Sequence, residues 1–317
     1  MLRALAVVLV LVVGACSDGG GAGGAGGSGG AGGSGGAGGD PSGGNPLEGI
    51  GTVELVSDDF LFTEGPVWRA ATETLLFSDV VANVIYELTP PDSVEVIREE
   101  SPTNGLALDP NGLLVAADFG NKRISRTLSD GTIVTVVSEY EGNPFNSPND
   151  VAVRSDGTLY FTDPPFLAPP EERLIGFNGV FRVDPAGELT AEWEGVDATR
   201  PNGLILSPDE SVLYVADTTG GIMAFDVNAD GSLSGERTFI ADLPSGDGMT
   251  VDAAGNLFIA AGDGVRVYDP EGQQWGIIEI PDDRTPANCA FGGNDARTLY
   301  ITARAALYRV SLENPGL

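Results

Sequence analysis

Leu159-Tyr160-Phe161-Thr162-Asp163 and Leu213-Tyr214-Val215-Ala216-Asp217 are two copies of one short pattern. Earlier copies are Leu75-Leu76-Phe77-Ser78-Asp79 and Leu113-Leu114-Val115-Ala116-Ala117-Asp118. Two later ones, Leu257-Phe258-Ile259-Ala260-Ala261 and Leu299-Tyr300-Ile301-Thr302-Ala303, lack the aspartate. Each run is short and rich in β-branched and aromatic residues, as strands are. Turn residues precede most of them, as in Ser155-Asp156-Gly157. The leading leucines, at 75, 113, 159, 213, 257 and 299, recur about every 45 residues, the length of one four-stranded blade. No stretch keeps a helical period, which excludes an α-solenoid, and a β-sandwich would not produce six evenly spaced copies. The expected fold is all-β, a single six-bladed β-propeller over residues 47–317.

A second element recurs about ten residues before each leucine. Its versions are Glu64-Gly65-Pro66-Val67, Asn104-Gly105-Leu106-Ala107, Asn149-Asp150-Val151-Ala152, Asn202-Gly203-Leu204-Ile205, Asp247-Gly248-Met249-Thr250 and Asn288-Cys289-Ala290-Phe291. The innermost strand of each blade lines a propeller's axis. Glu64, Asn104, Asn149, Asn202, Asp247 and Asn288 are therefore expected to form a ring at one mouth of the channel. Any one of them alone fits a turn residue bonding local backbone. As a set they offer two carboxylates and several amide oxygens, a hard-oxygen site of charge about −2 suited to Ca²⁺, and less clearly to Mg²⁺ or Mn²⁺. An empty ring would leave Glu64 and Asp247 repelling each other, so a cation or a shared proton is expected.

Composition prunes the chemistry. The chain has no histidine, which excludes a Ser-His-Asp triad, a Cys-His pair and any His-ligated metal. Its 46 acidic against 16 basic residues give a net charge of −30, which argues against nucleic acid and anionic membranes as partners. Cys16 and Cys289 are the only cysteines, and Cys289 reads as a small buried apolar residue rather than half of a disulfide.

The N-terminus reads as an address. Arg3 precedes an apolar run, Ala4 to Val13, that is too short to span a bilayer, and Val13-Gly14-Ala15-Cys16 follows. This arrangement resembles a bacterial lipobox. It implies a signal peptide over 1–15, lipidation of Cys16 and export to the cell envelope, with the membrane met only through the lipid. Residues 16–46, nearly all Gly, Ala and Ser after Cys16, read as a flexible tether.

Glu64-Gly65-Pro66-Val67-Trp68, Asn146-Ser147-Pro148-Asn149-Asp150-Val151, Phe161-Thr162-Asp163-Pro164-Pro165, Pro201-Asn202-Gly203-Leu204, Asp247-Gly248-Met249 and Phe291-Gly292-Gly293 together resemble the gluconolactonase family that includes regucalcin, the senescence marker protein. The likeness covers essentially all of 50–317 and keeps the family's order. It implies a propeller that hydrolyses sugar lactones and related small esters with one divalent metal ion: Ca²⁺ first, with Mg²⁺, Mn²⁺ or Zn²⁺ as alternatives. Position by position, Glu64, Asn202 and Asp247 match the family's metal ligands, and Asn149 a further residue at the metal that also touches substrate. Ser147 stands where regucalcin has an arginine. The bacterial branch often carries a histidine near Phe119, absent here.

The resulting expectation is a monomeric metal-dependent lactone hydrolase. Asp247 is the expected general base and Glu64 the second candidate; Asn104 and Asn149 orient substrate, and Asn288 is structural. The segment Phe166 to Asn178 is expected to lie over the mouth, where Arg173 or Arg200 could meet a carboxylate or hydroxyls, though pairing with surface acids is the simpler reading for each. Two rivals stand beside this: a hydrolase of phosphoesters or larger lactones on the same scaffold, and a non-catalytic surface-tethered binding propeller with a structural metal.

Overall fold

The computed structural model describes residues 44–317 apart from Pro244. The expected signal peptide, Cys16 and all but the last three residues of the expected tether lie outside the described residues. Six four-stranded antiparallel sheets follow one another along the chain. Their innermost strands are Thr63–Arg69, Leu106–Leu108, Val151–Val153, Pro201–Leu206, Met249–Val251 and Asn288–Gly292, for blades 1 to 6. No α-helix occurs among the described residues; there are two single 3₁₀ turns, Pro170–Glu172 and Pro281–Asp283. The architecture is the expected six-bladed propeller.

The repeated pattern is the second strand of each blade, and its near-continuous apolar character has a direct cause. Successive side chains point to opposite faces of a strand, and here both faces are covered by neighbouring blades. Leu159 and Phe161 face blade 2, while Tyr160 faces blade 4. Leu213 and Val215 pack toward blade 3, Tyr214 and Ala216 toward blade 5. The core is therefore six wedges, one per blade boundary, rather than one central mass. In blade 2 the strand starts at Leu114, and Leu114 and Ala116 face blade 1. The leucine equivalent to Leu75 and Leu159 is thus Leu114, not Leu113; the double leucine hid a one-residue offset.

The ring of blades is closed by Glu54–Ser57, which pairs as the outer strand of blade 6 against Ala306–Ser311. Both ends of the described chain so meet in one blade. On the face away from the expected ring, hairpins such as Asp109-Pro110-Asn111-Gly112 and Asp184-Pro185-Ala186-Gly187 use their aspartate to accept two backbone N–H bonds, from Asn111 and Leu113 and from Ala186 and Glu188. The glycines that close these turns have φ of +75° and +89°, a conformation that disfavours any other residue. Part of the chain's acidity is turn chemistry.

Candidate metal and substrate site at the propeller mouth

The functional side chains are aimed by a repeated irregularity. In blades 2, 3 and 5 two consecutive residues oppose a single residue of the second strand. Asn104 N–H donates to the Ala117 carbonyl, while Ala117 N–H donates to Gly105. The same exchange joins Asn149 and Asp150 to Thr162, and Asp247 and Gly248 to Ala260. Blades 1 and 4 show it as register shifts between Glu64 and Val67 and between Pro201 and Leu204. Such bulges turn a side chain out of the sheet's regular alternation and sit beside active sites. Two tiers result. The upper holds Glu64, Asn104, Asn149, Asn202 and Asp247; the lower holds Gly65, Gly105, Asp150, Gly203 and Gly248.

Blade 6 corrects the sequence reading. There Ala287 N–H donates to the Thr302 carbonyl, and Gly248 N–H donates to the Ala287 carbonyl just as Gly105 N–H donates to that of Asn149. Ala287 therefore holds the upper position and Asn288 the lower one, level with Asp150. Asn288 Oδ1 accepts from Cys289 N–H at 2.8 Å, as Asp150 Oδ1 accepts from Val151 N–H at 2.9 Å. The upper ring has five polar members and one methyl group. Spacing to the next leucine could not reveal this, because the stretch from the upper residue to that leucine varies by up to two residues between blades.

The glycines of the lower tier are explained by neighbour contact. A Cβ on Gly203 would stand 2.5 Å from the Asp247 carbonyl oxygen, and one on Gly248 would stand 2.0 Å from Asn288 Cγ. A Cβ on Gly105 would meet Asp150 Oδ1 at 2.0 Å. Each glycine lets the next blade's chain approach the axis.

Second-strand ends hold the upper tier in place. Asp79 accepts N–H bonds from Leu61 and Phe62, just ahead of Glu64, and Asp163 accepts from Asn146 and Ser147, ahead of Asn149. Asp217 accepts from Arg200, two residues before Asn202. The preceding Ser78 and Thr162 hydroxyls donate to the carbonyls of Asn104 and Asn202 in the following blade. The repeated Ser/Thr-Asp pair is thus a positioning device for the ring.

The amides divide by what they already bond. Asn288 uses both ends, Oδ1 on Cys289 and Nδ2 on Glu64 Oε2 at 3.4 Å. Asn202 donates Nδ2 to Thr218 Oγ1 at 3.2 Å and keeps its oxygen free. The side chains of Asn104 and Asn149, each 8% exposed, form no hydrogen bond with another described residue. Three amide oxygens therefore remain available at the mouth.

Asp150 is the residue that sequence reasoning missed. It is 8% exposed and burial raises its pKa to about 7 against the opposing N–H groups of Val151 and Leu204. Its signal was visible: where four other blades carry glycine, blade 3 carries a carboxylate. Burial, with Asp150 adding to it, also raises Asp247 to about 7, while Arg304, the Asn202 amide and Gly248 N–H work the other way. Glu64 is pushed well above the usual carboxylate range by burial, then by Asp247 and Asp150. Three mutually repelling carboxylates replace the expected two. Below them a channel of about 420 Å³ follows the axis, with Asp150 and Asn288 at its upper end and Leu317 at its lower.

Among the described residues no three Asp, Glu, His or Cys side chains converge closely enough to hold a cation alone. A cation at the mouth needs amide oxygens as well, and the free ones of Asn149 and Asn202 beside Glu64 and Asp247 supply that hard-oxygen set. The loop after Asp163 is tied to blade 2 by Lys122–Glu172 at 2.9 Å. Arg173 and Arg200 pair with no acid: Arg173 donates to the carbonyls of Ala168 and Pro165, Arg200 to those of Asp197 and Thr199. Both brace their own loops.

Residues 62–305 match the family described as the SMP-30/Gluconolactonase/LRE-like region. The chain belongs to this family. It is 33% identical to the gluconolactonase of Zymomonas mobilis over 83% of its own length and 82% of the relative's. It is 32% identical to the 6-deoxy-6-sulfogluconolactonase of Pseudomonas putida, over 76% of its length and 82% of that protein's. Among solved structures, the gluconolactonase of Xanthomonas campestris superposes with a TM-score of 0.76 at 34% identity, covering 83% of this chain and 89% of the other. The family's matched span starts two residues before Glu64 and ends two residues after Ala303, so it contains every member of both tiers.

Proposed function

We propose that this protein opens a sugar lactone by hydrolysis with the help of one divalent cation, Ca²⁺ first. The observation that carries the reading is the mouth itself: Glu64 and Asp150 buried and Asp247 half-buried beside the free amide oxygens of Asn104, Asn149 and Asn202, in a chain of the gluconolactonase family. Glu64, Asn202 and Asp247, with Asn149, would hold the cation, which when bound supplies Lewis-acid polarisation of the lactone carbonyl.

The chain's own groups perform the proton work. Asp247, whose charged form burial disfavours, takes a proton from the attacking water as the water oxygen bonds to the carbonyl carbon. It returns that proton to the ring oxygen as the acyl–oxygen bond breaks, leaving a hydroxy acid. Asn104 and Asn149 orient the sugar hydroxyls. Glu64 is too strongly biased toward its neutral form, without a cation, to serve first.

Turnover of glucono-1,5-lactone and a small lactone and ester panel by metal-stripped protein, with Ca²⁺, Mg²⁺, Mn²⁺ or Zn²⁺ added back, tests this. No metal-dependent turnover would sink the enzyme reading and favour a binding propeller. Metal binding unchanged in both Asp247→Asn and Glu64→Gln would sink the site assignment. A second reading, a larger or more apolar lactone, draws on the exposed Phe166, Leu167 and Leu174 of the loop between Asp163 and Asn178, and the same panel decides it. The sequence Val13 to Cys16 supports an envelope-anchored enzyme; Cys16→Ala, followed by fractionation, would release it from the membrane.

A further inference from the structure

The sector of the mouth formed by blade 6 differs from the other five. Its upper position is Ala287, a buried methyl group, so no polar side chain stands between Asp247 of blade 5 and Glu64 of blade 1. Over that sector stands the hairpin between Thr298–Ala303 and Ala306–Ser311. The hairpin is fixed to blade 1: Thr63 donates its N–H at 2.7 Å and its hydroxyl at 2.9 Å to the Arg304 carbonyl. Arg304, with φ of +56° in a tight turn, lays its guanidinium over the Phe62 ring, 5.1 Å from the centroid. It is also the cation whose field lowers the pKa of Asp247. The guanidinium thus lies against blade 1, on the ring of the residue two before Glu64.

Its lack of partners is unusual in this chain. Ten basic side chains are paired with carboxylates. Arg98, Arg173 and Arg200 donate to protein oxygens instead, and Arg297, exposed beside a turn on the opposite face, is the one other described basic side chain without a partner. Arg304 is half-buried and donates no side-chain hydrogen bond to any described residue, although acids outnumber bases by 46 to 16. Its donors face solvent at the mouth. A net charge of −30 disfavours anions in general, so an unneutralised guanidinium kept at this one spot calls for a local ligand. A guanidinium seated over an aromatic ring keeps its fork of N–H groups free, a geometry that suits phosphate, sulfonate and carboxylate oxygens.

We infer that the blade 6 sector of the mouth, beside Arg304, is a subsite for an anionic substituent of the substrate, and that Arg304 is the specificity-determining residue that binds it. The inference rests on the lactonase reading and narrows its substrate class to sugar lactones bearing a phosphate, sulfonate or carboxylate away from the scissile ester. Asp247 and Glu64 flank the subsite and exclude an anion from the ring itself, so the charged end is directed to Arg304 while the carbonyl meets the upper tier.

The test uses the full chain loaded with the cation that supports turnover. Wild type, Arg304→Gln and Arg304→Lys are assayed on glucono-1,5-lactone and on its 6-phosphate and 6-sulfonate forms. Arg304→Gln is expected to raise KM for the two anionic lactones by about tenfold or more, the loss of one charge-assisted contact. KM for the neutral lactone should stay within about twofold, any change in kcat through the lost field on Asp247 should be common to neutral and anionic lactones, and Arg304→Lys should restore part of the loss. Equal changes in KM on neutral and anionic lactones, or no change in either, would overturn the subsite. Calorimetric binding of gluconate 6-phosphate against gluconate separates this from the lactonase reading. If no lactone is turned over but wild type binds the phosphate form more tightly and Arg304→Gln does not, the subsite stands and the lactonase reading falls. If wild type shows no such preference, the subsite falls whatever the turnover. Thermal melts of the variants establish that they are folded.

Discussion

Two sets of buried carboxylates lie a few residues apart in this chain and behave as opposites. Asp79 is fully buried and accepts four backbone N–H bonds, from Leu61, Phe62, Val81 and Ala82. Glu64, which Asp79 helps to place, meets one N–H, from Gly65, and one amide, from Asn288, while Asp247 and Asp150 repel it. The first set is saturated with donors and holds loops. The second is starved of donors and surrounded by its own sign. The difference shows that burial alone does not mark a functional acid: Asp163, which holds a loop, is also raised to about 7 by burial, and what sets the ring apart is repulsion among its own members.

The largest expected effect lies in the starved set. Asp247→Asn should lower kcat for lactone hydrolysis by about 10²-fold or more, while the metal-free protein melts no lower at pH 8, since a repelling charge has gone. A large drop in the melting temperature would erase the distinction between the two sets. Next is Asp79→Ala, which strips four part-buried N–H groups of their acceptor and should cost about 2 kcal/mol, read from urea unfolding.

The third prediction concerns pH. Asp150 and Asp247, at about 7, sit above the ordinary aspartate value near 4, so between these limits the folded state binds more protons than the unfolded chain. Stability of the metal-stripped protein is therefore full below the unfolded pKa and falls as pH rises through about 7. Its melting temperature should drop between pH 5 and pH 8, and excess divalent cation should reverse the trend, because the cation replaces the protons. A metal-free melting temperature that rises over this range would contradict the site's charge balance. The smallest effect is a control: Arg237→Ala, which breaks an exposed pair with Asp226, should shift stability by less than about 0.5 kcal/mol.

The fold was legible because the second strands are buried on both faces, which writes an almost unbroken apolar run into the sequence. Five of the six ring positions were legible for a related reason: a bulge beside the axis needs a polar residue followed by one without bulk. The same rule misled at Asn288, which is polar but occupies the lower tier behind Ala287, and it passed over Asp150 because a polar pair reads like a turn. The outer strand Glu54–Ser57 left no mark, since its burial is partial and its partner lies more than 250 residues away. Arg304 was invisible because its importance is an absence of partners, which only three-dimensional neighbours can show.

The strand that closes blade 6 has a practical consequence. Glu54 pairs with Arg309 and Ser57 with Leu307, so the strand climbs toward the mouth from the opposite face, where Gly51 meets Ser311 and Leu317 ends at the channel's lower opening. Both ends of the described chain leave on the side away from the lactone-facing groups. A handle at either end, a fusion partner or a bead, would stand clear of incoming substrate, and the molecule could be fixed to a surface with its working face outward.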